Sequence, residues 1–254
     1  VLLTSGEKVV LKNADVELEI DTQGGRITRA VLVNQWSDAY DGNRVVLFDQ
    51  VPQRRYEAQS GLVGQSANQV AYPNHMSVFK RAALRDGLDP NRHVALVSES
   101  GGLKLTKTYS IDEKGYVIRV QHSVQNTGAD TVSPMVYLQL MRNGDRPPGE
   151  SQFYQTFIGP AMYTLEGKFQ KIDFSDVEKN KANHVKTANN GWFGIIQHYF
   201  VSAWIPSNEA AREFYTRRIE NNLYSVGMIQ ALPAILPGAQ QTHDAVLFAG
   251  PQLQ

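Results

Sequence analysis

Six histidines are the side chains of this 254-residue sequence best suited to act as acids, bases or metal ligands near neutral pH. They are His75, His93, His122, His184, His198 and His243. None has the spacing of an HxH or HExxH metal motif. His122 and His198 lie in apolar stretches, which favours hydrogen-bonded core histidines over catalytic ones. His75, His93 and His184 lie in polar stretches and are predicted to be solvated.

Motifs for nucleophiles and for phosphate cradles are missing from the sequence. It has no GxSxG elbow, no GxGxxG or P-loop, and no cysteine for thiol chemistry or disulfides. The acidic pair Asp112 and Glu113 falls in a predicted turn, and Asp173, Asp176 and Glu178 fall near a predicted helix start. Solvated or capping roles suit these carboxylates better than a glycosidase pair. We therefore expect no catalytic residue, no cofactor and no metal.

Three tryptophans raise the alternative of a carbohydrate-binding module, because aromatic faces stack on sugars. Trp192 and Trp204 share one face of a single predicted strand over 192–205, where both faces are mostly apolar. Core packing is therefore expected for both. Trp36 precedes a polar loop and is predicted to be exposed.

The elements that position these residues are mainly strands. Residues 103–126 alternate apolar and polar around a turn at 112–115, which predicts a hairpin. Its inward faces are Leu103, Leu105, Tyr109 and Ile111, then Tyr116, Ile118, Val120, His122 and Val124. The spacing of Ser175 and Glu178 predicts a short capped helix. Residues 209–218 are predicted to be a loop that enters a strand, and no linker divides the chain. The pattern indicates one large antiparallel β domain over residues 1–254.

Composition excludes further classes of protein. Lys and Arg number 25 and Asp and Glu number 25, so the net charge gives no electrostatic reason to bind nucleic acid or anionic lipid. A local basic patch could still lie within this zero sum. The longest apolar candidate for a membrane span, residues 191–206, is interrupted by Gln197 and His198. No initiator methionine or signal peptide precedes Val1, so we expect a processed chain or a fragment.

Six segments carry a resemblance to a known family. They are QSGLVG (59–64), LTKTYSI (105–111), VQNTG (124–128), GWFGIIQHYFVSAWIP (191–206), FYT (214–216) and GPQLQ (250–254). In this order they resemble the large first periplasmic domain of the YidC family, the membrane protein insertases of Gram-negative bacteria. The resemblance implies a mainly β fold, an antiparallel β-supersandwich of the galactose-mutarotase type with few short helices.

The resemblance also implies a location and a division of labour. The domain would lie on the periplasmic face of the inner membrane, between the first two transmembrane helices of the full protein. The insertase chemistry, and the contact with nascent membrane proteins, would belong to the membrane part. Sugar epimerases of this fold use a strand histidine and a glutamate, and residues 133–141 contain neither. A non-catalytic accessory domain is therefore expected, with a carbohydrate-binding or vestigial mutarotase-like module as the alternative.

The partners implied by the resemblance are SecDF and the Sec translocon. Their contact is placed between residues 163 and 174, where aromatic and charged side chains mix as in transient interfaces. The predicted contact residues are Tyr163, Lys168, Phe169, Asp173 and Phe174. The same composition is typical of an edge strand whose lysines prevent edge-to-edge aggregation. The isolated chain is expected to be a monomer.

Overall fold

Alternating apolar and polar residues place most of the chain in antiparallel strands. A computed structural model describes residues 5–37, 42–51, 54–147 and 156–252. Within these residues the strands form two nine-stranded sheets. In spatial order, the first sheet contains β1 (Lys8–Lys12), β2 (Val16–Asp21), β3 (Arg26–Trp36), β4 (Arg44–Val51), β5 (Arg54–Val63), β10 (Met135–Asn143), β17 (Leu223–Ala231), β16 (Arg212–Glu220) and β13 (Thr187–Ala188).

The second sheet runs from one short edge strand to another. In spatial order it contains β12 (Lys168–Lys171), β11 (Ile158–Thr164), β14 (Trp192–Gln197), β15 (Phe200–Pro206), β18 (Gln240–Pro251), β9 (Val117–Asn126), β8 (Leu103–Ile111), β7 (His93–Ser100) and β6 (Lys80–Ala82). A short helix, α1 (Phe174–Glu178), follows β12 in the chain. The predicted antiparallel β fold with little helix is confirmed.

One contiguous apolar core lies between the two sheets. Both contribute alternate residues of their strands, such as Leu18 and Leu138 from the first sheet and Leu105 and Leu247 from the second. All four side chains are fully buried. The hydrophobic effect of this burial stabilises the sandwich, because each such side chain contributes about 2 kcal/mol.

The predicted hairpin over 103–126 is confirmed. It consists of β8 and β9, which pair from Leu103 opposite Asn126 to Ile111 opposite Ile118. The predicted single strand over 192–205 is wrong, because β14 and β15 form a second hairpin across His198 and Tyr199. His198 has a positive φ of 52°, which suits a tight two-residue turn. The residues before and after this turn are mostly apolar, so the alternation of apolar and polar residues did not indicate a break in the strand.

Two smaller predictions need correction. Helix α1 begins one residue before Ser175, and Asp173 occupies the N-cap position in an extended conformation without a side-chain capping bond. Of the two tryptophans expected in the core, Trp204 is 1% exposed, whereas Trp192 faces away from the core and is half-buried. Trp36 is exposed as predicted. No helix in the described ranges has the length and apolar character needed to cross a bilayer.

Candidate functional site

The predicted contact residues lie at the β12 edge of the second sheet. Tyr163 in β11 lies directly opposite Phe169 in β12 and opposite Trp192 in β14. Residues opposite one another in a sheet share a face, so these side chains form a continuous aromatic row (Phe169, Tyr163 and Trp192). The Phe169 side chain is 49% exposed, and its ring centroid lies 6.0 Å from that of Trp192. The row therefore presents aromatic surface away from the core.

Charged side chains lie in the same segment as Phe169 of the aromatic row. Lys168 and Asp173 are both exposed, one at the start of β12 and the other two residues after its end. Lys171 Nζ lies 6.0 Å from the Phe169 ring centroid, within range of a cation–π contact. Because β12 is the last strand of its sheet among the described residues, the expectation of an edge strand with lysines is met.

Phe174 does not belong to this surface. Its side chain is only 9% exposed, and its ring stacks on Tyr224 with centroids 5.0 Å apart. Phe174 and Val177 are both buried and lie three residues apart, so they share the inward face of α1. Phe174 is therefore a packing residue, and the contact predicted for it lacks an accessible side chain. Contact through the other four predicted residues stays a prediction.

The histidine predictions have mixed outcomes. His122 is a core histidine as predicted, fully buried with Nε2 2.8 Å from Ser60 Oγ. His198 is not in the core, since it lies half-buried in the β14–β15 turn with Nδ1 2.8 Å from Thr156 Oγ1. His184, predicted to be solvated, is 5% exposed.

The other two histidines predicted to be solvated are half-buried. The Nδ1 atom of His75 contacts the Tyr137 hydroxyl, and that of His93 lies 3.0 Å from the carbonyl oxygen of Asp89. Burial lowers the pKa of His75 to about 4. Both histidines therefore contact a neighbouring polar group and are only partly exposed to solvent.

A row of basic side chains crosses the inner face of the second sheet. Lys107 in β8 lies opposite His122 in β9, which lies opposite His243 in β18. All three are at most 2% exposed, and we call them the basic row. Lys107 Nζ donates hydrogen bonds of 2.7 Å to the carbonyl oxygens of Gly24 and Ser60. Among the described residues, neither ring nitrogen of His243 has a hydrogen-bond partner from another residue.

Burial and like charges lower the pKa values of the basic row. The pKa of Lys107 falls to about 7, mainly through desolvation and then through repulsion by Arg26. The pKa of His243 falls to about 4 through desolvation and repulsion by Arg212, and that of His122 falls well below its usual value. The two histidines are therefore neutral at pH 7.

A polar network covers the face of the first sheet that is turned away from the second. Arg26 Nη1 donates to Glu57 Oε2 at 2.7 Å, and Gln59 Nε2 donates to the other oxygen of that carboxylate. Gln139 Nε2 donates to Gln59 Oε1, and the Tyr215 hydroxyl donates to Gln139 Oε1 at 2.8 Å. All five side chains are at most 9% exposed.

The five side chains of this network include one carboxylate and no histidine. The Glu57 carboxylate is already engaged by Arg26 and Gln59, and β10 carries neither histidine nor glutamate. The members of the polar network come from β3, β5, β10 and β16, which are distant in sequence. Short sequence motifs could therefore not reveal the network. In the described residues, no cluster of three or more histidine or acidic side chains is arranged to hold a metal.

Two nine-stranded antiparallel sheets around one core define the class of galactose-mutarotase-like β-supersandwiches. The chain is similar in structure to a galactose mutarotase related enzyme from Lactobacillus acidophilus, with a TM-score of 0.62, 10% identity, and coverage of 97% of this chain and 100% of that one. It is also similar to a galactose mutarotase-like protein from Clostridium acetobutylicum, with a TM-score of 0.58, 10% identity, and coverage of 96% and 95%. At such identities the likeness concerns the fold alone.

Within this class the sequence identifies the family. A model of the YidC periplasmic domain matches residues 8–254. The chain is 46% identical over 98% of its length to the membrane protein insertase YidC of Cupriavidus necator, and 41% identical over 98% to that of Janthinobacterium. It spans 44% of the length of each of these two relatives. The chain therefore belongs to the YidC periplasmic domain family, as its sequence segments indicated.

Proposed function

We propose that this chain is a non-catalytic periplasmic domain that supports membrane protein insertion and folding by contacting SecDF and the Sec translocon. The proposal rests on family membership and on the β12 edge of the second sheet. The full insertase would sit in the inner membrane, with this domain on the periplasmic side. Nascent membrane proteins would meet the membrane part of that protein.

The exposed aromatic row is the observation that carries this proposal. Aromatic side chains are enriched in the centres of protein interfaces, and charged side chains in their rims. The aromatic row has this arrangement, since Lys171 lies on the same face of β12 as Phe169, with Nζ 6.0 Å from its ring centroid. A half-exposed Phe169 gains burial when a partner covers it, so a contact here would be favourable.

The contact is tested with Tyr163→Ala and Phe169→Ala together, in the full-length insertase. We expect SecDF co-purification from solubilised membranes to fall several-fold, while the thermal midpoint changes little. Trp36→Ala is the matched control, because Trp36 is an aromatic residue that is 60% exposed elsewhere on the surface. Undiminished SecDF recovery with the double variant, or an equal loss with the control, would contradict the proposed contact. Phe174→Ala is unsuitable because it would remove a core ring.

The non-catalytic part of the proposal is supported by the engaged Glu57 carboxylate. Polarimetry of galactose mutarotation should show no acceleration by the chain. Titration with a panel of sugars should leave the tryptophan fluorescence unchanged at millimolar concentration. Saturable sugar binding would favour the carbohydrate-binding alternative.

A further inference from the structure

Four dipeptides of the sequence join an aspartate or an asparagine to a glycine, a pairing that allows the backbone to cyclise. They are Asp41–Gly42, Asp86–Gly87, Asn143–Gly144 and Asn190–Gly191. In such a pair the glycine nitrogen attacks the side-chain carbonyl carbon of the preceding residue, and glycine has no side chain to hinder this approach. Within a folded chain, the reaction requires that both groups are free to move. Three of the pairs lie entirely in the described residues and can be compared.

The Asn143–Gly144 pair is held by hydrogen bonds at the end of β10. Asn143 is 8% exposed, and its Nδ2 donates to Asp145 Oδ2 at 2.6 Å. The attacking group, the Gly144 N–H, donates to Asn222 Oδ1 at 3.1 Å. These bonds must break before the glycine nitrogen reaches the asparagine side chain, so folding should suppress cyclisation here.

The Asn190–Gly191 pair is held against the turn between β11 and β12. Asn190 Oδ1 accepts a hydrogen bond of 2.8 Å from the Leu165 N–H, and Asn190 Nδ2 lies 3.4 Å from both carboxylate oxygens of Glu166. A side chain at Gly191 would collide with the carbonyl oxygen of Tyr163, so the glycine backbone packs closely against β11. Rotation of either residue of the pair is therefore restricted.

The Asp86–Gly87 pair differs, because it lies exposed in the loop between β6 and β7. A hydrogen bond of 3.3 Å, from the Leu88 N–H to the Arg85 carbonyl oxygen, closes the turn around it. Within the described residues, the Gly87 N–H has no hydrogen-bond partner, and the Asp86 carboxylate has neither a hydrogen bond nor an ion pair. A Cβ placed on Gly87 would have open space around it, so this turn is not packed against the sandwich.

We propose that Asp86 is a modification site, at which the folded chain forms isoaspartate without an enzyme. The Gly87 nitrogen attacks Cγ of the neutral Asp86 carboxyl group, a C–N bond forms, and a water molecule leaves, which closes a succinimide ring. A water molecule then hydrolyses this ring. Hydrolysis at the main-chain carbonyl carbon of Asp86 gives isoaspartate, whose backbone runs through Cβ and Cγ, whereas hydrolysis at Cγ restores aspartate. The overall change is an isomerisation, so it needs no oxidant and no co-reactant besides water.

The test compares cyclisation in the native 254-residue chain with that in the same chain unfolded by guanidinium chloride. Both samples are aged in the same buffer at physiological temperature, digested, and mapped by mass spectrometry with fragmentation that distinguishes isoaspartate from aspartate. We expect folding to change the rate at Asp86 by less than about threefold, since exposed loops open at little cost. Deamidation of Asn143 and Asn190 should be slowed by at least about tenfold, because their hydrogen bonds must break first.

The variant Asp86→Glu tests whether the signal arises at this residue, because the longer side chain cannot close the succinimide ring. It should abolish isoaspartate in the peptide that contains Gly87, while circular dichroism and the thermal midpoint stay unchanged. Asp130→Glu is the matched control and should leave the Asp86 signal intact, since Asp130 is also exposed and its carboxylate has no partner among the described residues. A rate at Asp86 that folding slows by about tenfold, or a signal that survives Asp86→Glu, would overturn the proposal.

Discussion

The basic row and the aromatic row lie on opposite faces of the same sheet and reverse the usual distribution of residues. The basic row is on the inner face and is at most 2% exposed, whereas Phe169 of the aromatic row, on the outer face, is 49% exposed. Buried basic groups and exposed aromatic groups are both uncommon. The contrast shows that strand register and position within the sheet, rather than residue type, decide which side chains are buried here.

Their positions in the sheet explain why each row is tolerated. The basic row crosses β8, β9 and β18, which have neighbours on both sides. Within this row, the Lys107 ammonium group donates hydrogen bonds to the carbonyl oxygens of Gly24 and Ser60. The aromatic row instead lies at the β12 edge, where no described strand adds further cover. Internal partners bond Lys107 and the Nε2 atom of His122 in the first row, and the second row retains contact area for an external partner.

Replacement of Lys107 by alanine is the strongest test of this comparison. The variant leaves a cavity and two buried carbonyl oxygens without their donor, so the free energy of unfolding should fall by about 4 kcal/mol. Lys104→Ala is the control, because Lys104 lies on the outer face of the same strand and is half-buried. Urea denaturation should show a loss for that control of about 0.5 kcal/mol or less. Similar losses for both lysines would show that the basic row has no special structural role.

Acid should destabilise the chain through the same row. The pKa of His243 is about 4 in the folded chain, against an ordinary value of 6.5. Between pH 6.5 and pH 4, His243 therefore binds a proton in the unfolded state but not in the folded state. The free energy of unfolding falls as the pH is lowered through this range. For His243 alone the loss is about 3 kcal/mol. His122 contributes in the same direction, because burial also lowers its pKa.

The variant His243→Phe isolates this contribution. It removes the titrating group but keeps an aromatic ring where no hydrogen bond from another described residue is lost. Urea denaturation at pH 7 and pH 4 should show an acid-induced loss about 3 kcal/mol smaller in the variant than in the native chain. Effects of the carboxylates cancel in this difference. An unchanged acid-induced loss would place the acid sensitivity outside the basic row.

The strands were predictable where one face is apolar and the other polar. Alternation located β8 and β9 with the correct turn, because solvent and core impose opposite demands on successive residues. The β14–β15 hairpin was not predictable by the same rule, since both faces of this segment are apolar. Its turn uses His198 and Tyr199, which are not typical turn residues.

The polar sites were largely unpredictable for a related reason. Lys107 interrupts an apolar face in the sequence, but its partners at Gly24 and Ser60 are set by how the two sheets pack. The family resemblance, by contrast, was detectable because the matching segments extend along most of the chain. Sequence thus predicted the class of fold better than the placement of charge inside it.

The smallest expected effect concerns the aromatic row. A double-mutant cycle with Phe169→Leu and Trp192→Leu isolates the contact between their rings, which are tilted by 43° with centroids 6.0 Å apart. Partly exposed aromatic pairs of this geometry contribute about 0.5 kcal/mol, so we expect a coupling of that size in urea denaturation. A coupling of this size would mean that the ring contact contributes little to the stability of the fold. The exposed surface of the row would then be available to a partner. A coupling that approaches the loss expected for Lys107→Ala would make the row a structural element, and would remove the main physical support for a partner surface at this edge.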